Sequence, residues 1–100
     1  MTVDIIREGT AVTVMLDGWL NVESVSEFAK VTEELSDYTE MKVDFDKVEY
    51  MSSAGLRQIV SLFRIVKAHN AEFEIVNVRN NVMEVFRLTG IDKKMTIKSK

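Results

Sequence analysis

Glu49-Tyr50-Met51-Ser52-Ser53-Ala54-Gly55-Leu56-Arg57 is the stretch on which the fold turns. Just before it, Met41, Val43 and Phe45 alternate with Lys42, Asp44 and Asp46, the two-residue period of a strand. Just after it, Leu56, Ile59, Val60 and Phe63 recur at i, i+3, i+4 and i+7, which predicts a helix over 54–69 with Arg57, Ser61, Arg64 and Lys67 on its other faces. Two serines and two small residues stand where that helix begins. Ser52 or Ser53 is an N-cap, and Ala54 and Gly55 permit close approach to a sheet. Ser53 is expected within one residue of the helix start, at the carboxyl end of a parallel strand around 41–46.

Working outward, the same two periods alternate along the chain. Val3 and Ile5, then Ala11–Leu16, read as two strands joined at Glu8-Gly9-Thr10, with Asp17-Gly18 ending the second. Val25, Phe28, Ala29, Thr32 and Leu35 form a helical stripe over 24–37, and Ser24 and Glu27 have capping-box spacing. Residues 72–78 alternate again. Phe73, Ile75 and Asn77 share one parity and Val76 and Val78 the other, so both faces are expected to be covered. Asn80 or Asn81 is the expected cap of a third helix carrying Val82, Val85, Phe86 and Thr89, with Leu88 beside them and Gly90 as a left-handed stop. A short strand around 94–97 comes next, and Lys98-Ser99-Lys100 is expected to fray.

The order is β-β-α-β-α-β-α-β. Helices long enough to cross a sheet separate the later strands, which implies parallel pairing through right-handed crossovers. The first two strands form an antiparallel hairpin. The prediction is an α/β fold: one small sandwich around a mixed, mostly parallel sheet, using residues 1–100 as a single domain. No Gly/Ser-rich stretch, charge block or repeat suggests a linker.

Composition closes other routes. The chain has no Cys and one His, which excludes disulfides, thiolate sites and multi-histidine metal clusters. Thirteen Lys and Arg against 16 Asp and Glu leave a formal charge of -3, so no general attraction to nucleic acid or to an anionic membrane is expected. Apolar runs fall short of a membrane span, and residues 1–8 lack a signal h-region, so a soluble cytoplasmic protein is expected. Neither common nucleotide-binding loop occurs, nor a GxSxG elbow. Asp44 and Asp46 read as a polar strand face, with no phosphate loop for a bound Mg²⁺ to serve. His69 reads as a helix-end residue favoured by the helix dipole. The six Met residues read as scattered core filling. No enzyme, cofactor or metal is expected, and with no apolar face left over the protein is expected to be monomeric.

The 49–57 stretch also has a functional reading. A phosphate on a serine at this helix start would be favoured by the first-turn amides and the dipole, with Arg57 one turn on. The crevice outside the carboxyl end of a strand is a preferred site in open α/β sheets. Trp19 and Leu20, near the same sheet end, read as a hydrophobic anchor, although Trp19 fits core or loop filling as well.

Three blocks resemble a family. They are Val14-Met15-Leu16-Asp17-Gly18-Trp19-Leu20-Asn21, Val48 through Arg57, and Val85-Phe86-Arg87-Leu88-Thr89-Gly90-Ile91. In this order they resemble the small STAS-domain proteins, the bacterial anti-sigma factor antagonists, over roughly residues 3–96. The resemblance implies a protein-binding switch. The unmodified antagonist binds an anti-sigma factor that is also a serine kinase and so frees a sigma factor. The kinase phosphorylates a serine at the start of the second helix, the complex separates, and a PP2C-type phosphatase resets it. The matching phosphoacceptor here is Ser53. Ser52 and Asn21 stand where the family usually has aspartate, and Ala54 where it often has a second hydroxyl. The partner surface implied is Trp19, Leu20, Asn21, Ser52, Ser53, Ala54, Gly55, Arg57, Ser61 and Arg64. The alternatives are a STAS adaptor serving secretion, motility or surface growth, and an interaction module that is never phosphorylated.

Overall fold

The hairpin expected at Gly9 forms. In the computed structural model, which describes residues 1–100, β1 (Thr2–Glu8) pairs antiparallel with β2 (Ala11–Leu20), Glu8 opposite Ala11, across a two-residue turn with Gly9 at φ 62°. Helix α1 (Val25–Glu33), β3 (Glu40–Met51), α2 (Ser53–Ala68), β4 (Glu72–Val78), α3 (Asn80–Thr89), a 3-10 turn (Ile91–Lys93) and β5 (Thr96–Ser99) complete the chain. The sheet order is β1-β2-β3-β4-β5, with β2 through β5 parallel. The fold class and element order are therefore those read from the sequence.

This strand order governs the rest of the molecule. Three successive right-handed crossovers that always advance in the same direction must place every helix on the same side of the sheet. The core lies in that single layer. Val12, Val14, Leu16, Leu20, Met41, Val43, Phe45 and Ile75 of the sheet pack with Phe28, Ile59, Leu62, Val66, Val82 and Phe86 of the helices. The exposed surface is 5815 Å², close to the roughly 5,800 Å² expected of a folded chain this size. The opposite sheet face carries no helix, which explains its polar parity in β3.

Several local expectations change. Strand β2 continues through Gly18 (φ 124°) to Leu20. Strand β3 runs past Asp46 to Met51, because two register shifts against β2 insert an extra residue each. Each insertion resets which parity faces the core, so Phe45, Val48 and Met51 are all buried at three-residue spacing. In β4, Asn77 at φ 59° resets the parity in the same way. Val78 joins Ile75 in the core, and the two faces are not both covered. Helix α1 starts at Val25 and stops at Glu33, and Ser24 forms no capping box. The buried stripe of α2 is Gly55, Ile59, Leu62 and Val66, rotated from the expected Leu56 and Phe63, which are half-buried. Arg79 precedes α3 in extended conformation. Neither Asn80 nor Asn81 caps it, and the Asn81 side-chain Nδ2 donates to the Glu49 carbonyl instead at 2.8 Å. Gly90 does stop α3 at φ 75°. Leu88 and Thr89 are exposed. The tail is held as well: Lys98 and Ser99 belong to β5, and the Lys100 amide donates to the Val78 carbonyl at 3.0 Å.

Candidate functional site

The carboxyl ends of β2 and β3 carry two helix starts side by side. At the first, Asn21 caps the turn that leads into α1. Its side-chain oxygen accepts from the Glu23 and Ser24 amides at 3.0 and 3.2 Å, and its carbonyl accepts from Val25 at 3.0 Å. Ser24 is buried behind it; its hydroxyl accepts from the Asn21 amide at 3.0 Å and donates to the Trp19 carbonyl at 2.7 Å.

At the second start the two serines divide their roles. Ser52 is the N-cap, extended at φ -88° and ψ 175°, and its hydroxyl accepts from the Gly55 amide at 3.3 Å. The Ser52 carbonyl accepts from Leu56 at 2.9 Å, and the Ser52 amide donates to the Leu20 carbonyl at 2.9 Å, tying α2 to the end of β2. Ser53 is the first helical residue and is exposed. Its own amide and that of Ala54 have no intrahelical partner, as at any helix start. Ser53 lies at the helix start as expected, although the strand before it ends at Met51 rather than Asp46.

Ser53, Arg57, Ser61 and Arg64 succeed one another at i, i+4, i+8 and i+11, so they share one stripe of α2. Ser53 and Ser61 are exposed, as the stripe's polar character requires. Ala54 is half-buried beside them. Two expected contact residues lie elsewhere. Leu20 is fully buried, and Gly55 is buried against it. A Cβ on Gly55 would come within 3.1 Å of the Leu20 carbonyl carbon and 2.9 Å of its Cγ, nearer still to its oxygen. Both residues seat the helix on the sheet and present no surface. Trp19 is 58% exposed, which removes the core reading. It pairs in register with Tyr50, ring centroids 5.3 Å apart at 52°, and Tyr50 is itself 46% exposed. The sequence reading missed Tyr50 as a surface residue. Its parity is set by the two inserted residues of β3, which leave no local sequence mark.

His69 caps the far end of α2, as expected from its position. Its Nδ1 also meets the Tyr38 hydroxyl at 3.0 Å, a contact across 31 positions. Burial pushes the Tyr38 phenol above its ordinary value. The hydrogen-bonded Lys100 ammonium, 3.0 Å away, holds the Asp46 carboxyl below the usual range. No group of His, Asp and Glu has the arrangement of a metal site. No helix is long and apolar enough to cross a membrane.

A protein-family model for the STAS domain matches residues 2–100. The chain belongs to the STAS domain family. This is a family of regulatory binding modules, not of enzymes. Solved structures share the fold. A Thermotoga maritima protein assigned as an anti-sigma factor antagonist is 24% identical, with a TM-score of 0.90 over 98% of this chain and 86% of that one. An anti-sigma factor antagonist from Mycobacterium paratuberculosis is 17% identical, with a TM-score of 0.87 over 99% and 86%. The antagonist SpoIIAA in its unphosphorylated form is 18% identical, with a TM-score of 0.81 over 99% and 90%.

Proposed function

We propose that this STAS domain is a cytoplasmic anti-sigma factor antagonist in a partner-switching pathway, switched at Ser53. The unmodified form binds an anti-sigma factor that is also a serine kinase and thereby frees the sigma factor. Phosphorylation of Ser53 releases that partner, and a PP2C-type phosphatase resets the cycle. The observation that carries the reading is the division of labour at the start of α2: Ser52 does the capping, which leaves the Ser53 hydroxyl exposed and structurally unneeded. A modification there spares the fold.

The surface offered to the partner is the Ser53-Arg57-Ser61-Arg64 stripe with Ala54 and Ser52 at its head. Trp19 at the neighbouring strand end adds an aromatic anchor of the type enriched in binding hot spots. A phosphate adds about -1.5 to -2 charges at the head of that stripe. The free first-turn amides and Arg57 favour it on this chain, while the partner side loses shape and charge complementarity. Asn21 and Ser52 replace the usual family aspartates with residues that cap as well, so both helix starts survive without two negative charges beside Ser53.

The test is incubation of wild type, Ser53→Ala and Ser52→Ala with the cognate kinase and ATP, read by intact mass and peptide fragmentation. One phosphate on Ser53 is expected in wild type and in Ser52→Ala, and none in Ser53→Ala. A phosphate on Ser52, or no uptake by wild type from an active kinase, would defeat the reading.

A further inference from the structure

The helix-free face of the sheet has no part in the Ser53 switch, yet it holds a broad groove. The groove encloses about 470 Å³ and spans the strands from Ile6 on β1 to Thr96 on β5. Its floor is neutral: Ile6, which is exposed, with Ala11 and Thr13. Its acidic walls are Glu8, Glu40, Glu72 and Glu74, and its one cation is Lys42.

These walls are electrostatically incomplete. Glu40 and Glu72 stand directly opposite each other on paired strands, a like-charge arrangement that costs stability. Neither Glu8 nor Glu40 has a cation within ion-pair distance, and Glu72 meets only Lys67 at 3.9 Å, from the helical side. The fourth wall residue, Glu74, is already paired, with Lys42 at 3.6 Å and Lys98 at 3.1 Å, and farther along this face Lys100 reaches Asp46 at 3.0 Å. Lys98 and Lys100 come from the last strand and the residue after it, so a lysine-bearing extended segment already lies along one margin of the face.

We propose that this groove is a docking surface for an extended, arginine- or lysine-rich segment of a partner protein. The cationic heads pair with Glu8, Glu40 and Glu72 while their aliphatic stems cover Ile6 and the neutral floor. Charge complementarity over a bare sheet face, with the exposed Ile6 on its neutral floor, selects this occupant. The surface is independent of Ser53, because the groove lies at the opposite end of the parallel strands from α2's start.

The experiment uses a six-residue oligoarginine peptide as the probe, with oligoglutamate as its control, at fixed low salt. Backbone amide shifts are mapped by NMR and the dissociation constant is read from the titration. Shifts should concentrate in residues 6–13, 40–42 and 72–74. The triple variant Glu8→Gln, Glu40→Gln, Glu72→Gln should bind at least tenfold more weakly. A variant that removes equal charge from the helical side (Glu27→Gln, Glu33→Gln, Glu34→Gln) should bind within twofold of wild type, and so should Ser53→Ala. Thermal unfolding of the groove variant should be unchanged or raised, since it removes like charges. Equal weakening by both triple variants would reduce the effect to net charge and overturn the proposal. So would shifts confined to the helices, no saturable binding, or a wild-type dimer in sedimentation that the groove variant dissolves, since the occupant would then be a second copy of the chain.

Discussion

Gly55→Ala tests how α2 is seated on the sheet, because two opposing effects can be weighed against each other. Alanine is the better helix former by about 1 kcal/mol. Most of that difference is the larger conformational entropy that glycine has in the unfolded chain. If Gly55 were an ordinary exposed helical position, the variant would be more stable by about that much. The structure assigns the opposite sign. The new methyl would stand 2.9 Å from Leu20 Cγ and 3.1 Å from the Leu20 carbonyl carbon, with the carbonyl oxygen closer again. The obstacle is strand backbone, which cannot rotate away. Helix α2 must lift at its start, straining the 2.9 Å bond from the Ser52 amide to that same carbonyl. Overpacking of this kind costs about 1–3 kcal/mol, and the strained hydrogen bond about 1 kcal/mol more. The clash outweighs the propensity gain, and the net expectation is a loss of about 1–3 kcal/mol. For a domain of 100 residues each kcal/mol lowers the Tm by about 4–8 °C. Urea unfolding followed by far-UV circular dichroism, with a thermal scan beside it, measures both. A Gly55→Ala protein as stable as wild type, or more stable, would refute the close approach and with it the placement of Ser53.

Three further outcomes are expected. Ser52→Ala should lose about 0.5–2 kcal/mol because it removes a used cap, whereas Ser53→Ala should stay within about 0.5 kcal/mol in the same urea titration; the reverse order would exchange their roles. Lys100→Ala should raise the Asp46 carboxyl pKa, read by NMR titration. Because the folded-state value is depressed, the stability this pair contributes is present above the ordinary carboxylate range and is lost as pH falls through the folded value. An unmoved titration would refute the pairing. Tyr38→Phe and His69→Ala should each cost about 1 kcal/mol, and their double variant should cost clearly less than the sum, since they share one hydrogen bond. Additive losses would mean that the contact contributes nothing.

Much of the candidate site was legible before folding was considered. The change of period across 49–57 placed a helix start directly after a parallel strand, and the small residues there announced a close approach. Asn21 was legible as a loop residue but not as a cap, because the capping-box spacing of Ser24 and Glu27 offered a nearer candidate. That box failed because the Ser24 hydroxyl is turned inward to the Trp19 carbonyl, a partner five residues back on a strand. Leu20 was read as surface for a related reason: a strand end and its loop look exposed until a helix packs on them. Gly55 entered the partner surface only through the family resemblance, whereas its size had already pointed to the close approach that buries it against Leu20.

Side-chain period, turn glycines and crossover length are local properties. Through them the sequence alone determined the element order, the parallel sheet, the hairpin at Gly9, the stop at Gly90 and the helix start at Ser53. Tertiary structure decided everything that depends on relative position across the sheet. Two inserted residues in β3 aligned Tyr50 with Trp19 and carried that strand five residues past its regular alternation. Docking of α2 on β2 chose Ser52 as the cap and left Ser53 free. Sheet pairing brought Lys100 to Asp46 and Tyr38 to His69, and set Glu40 against Glu72 on the bare face. A local period cannot encode such pairs. Their partners lie more than 30 residues apart, and a one-residue shift in register separates them.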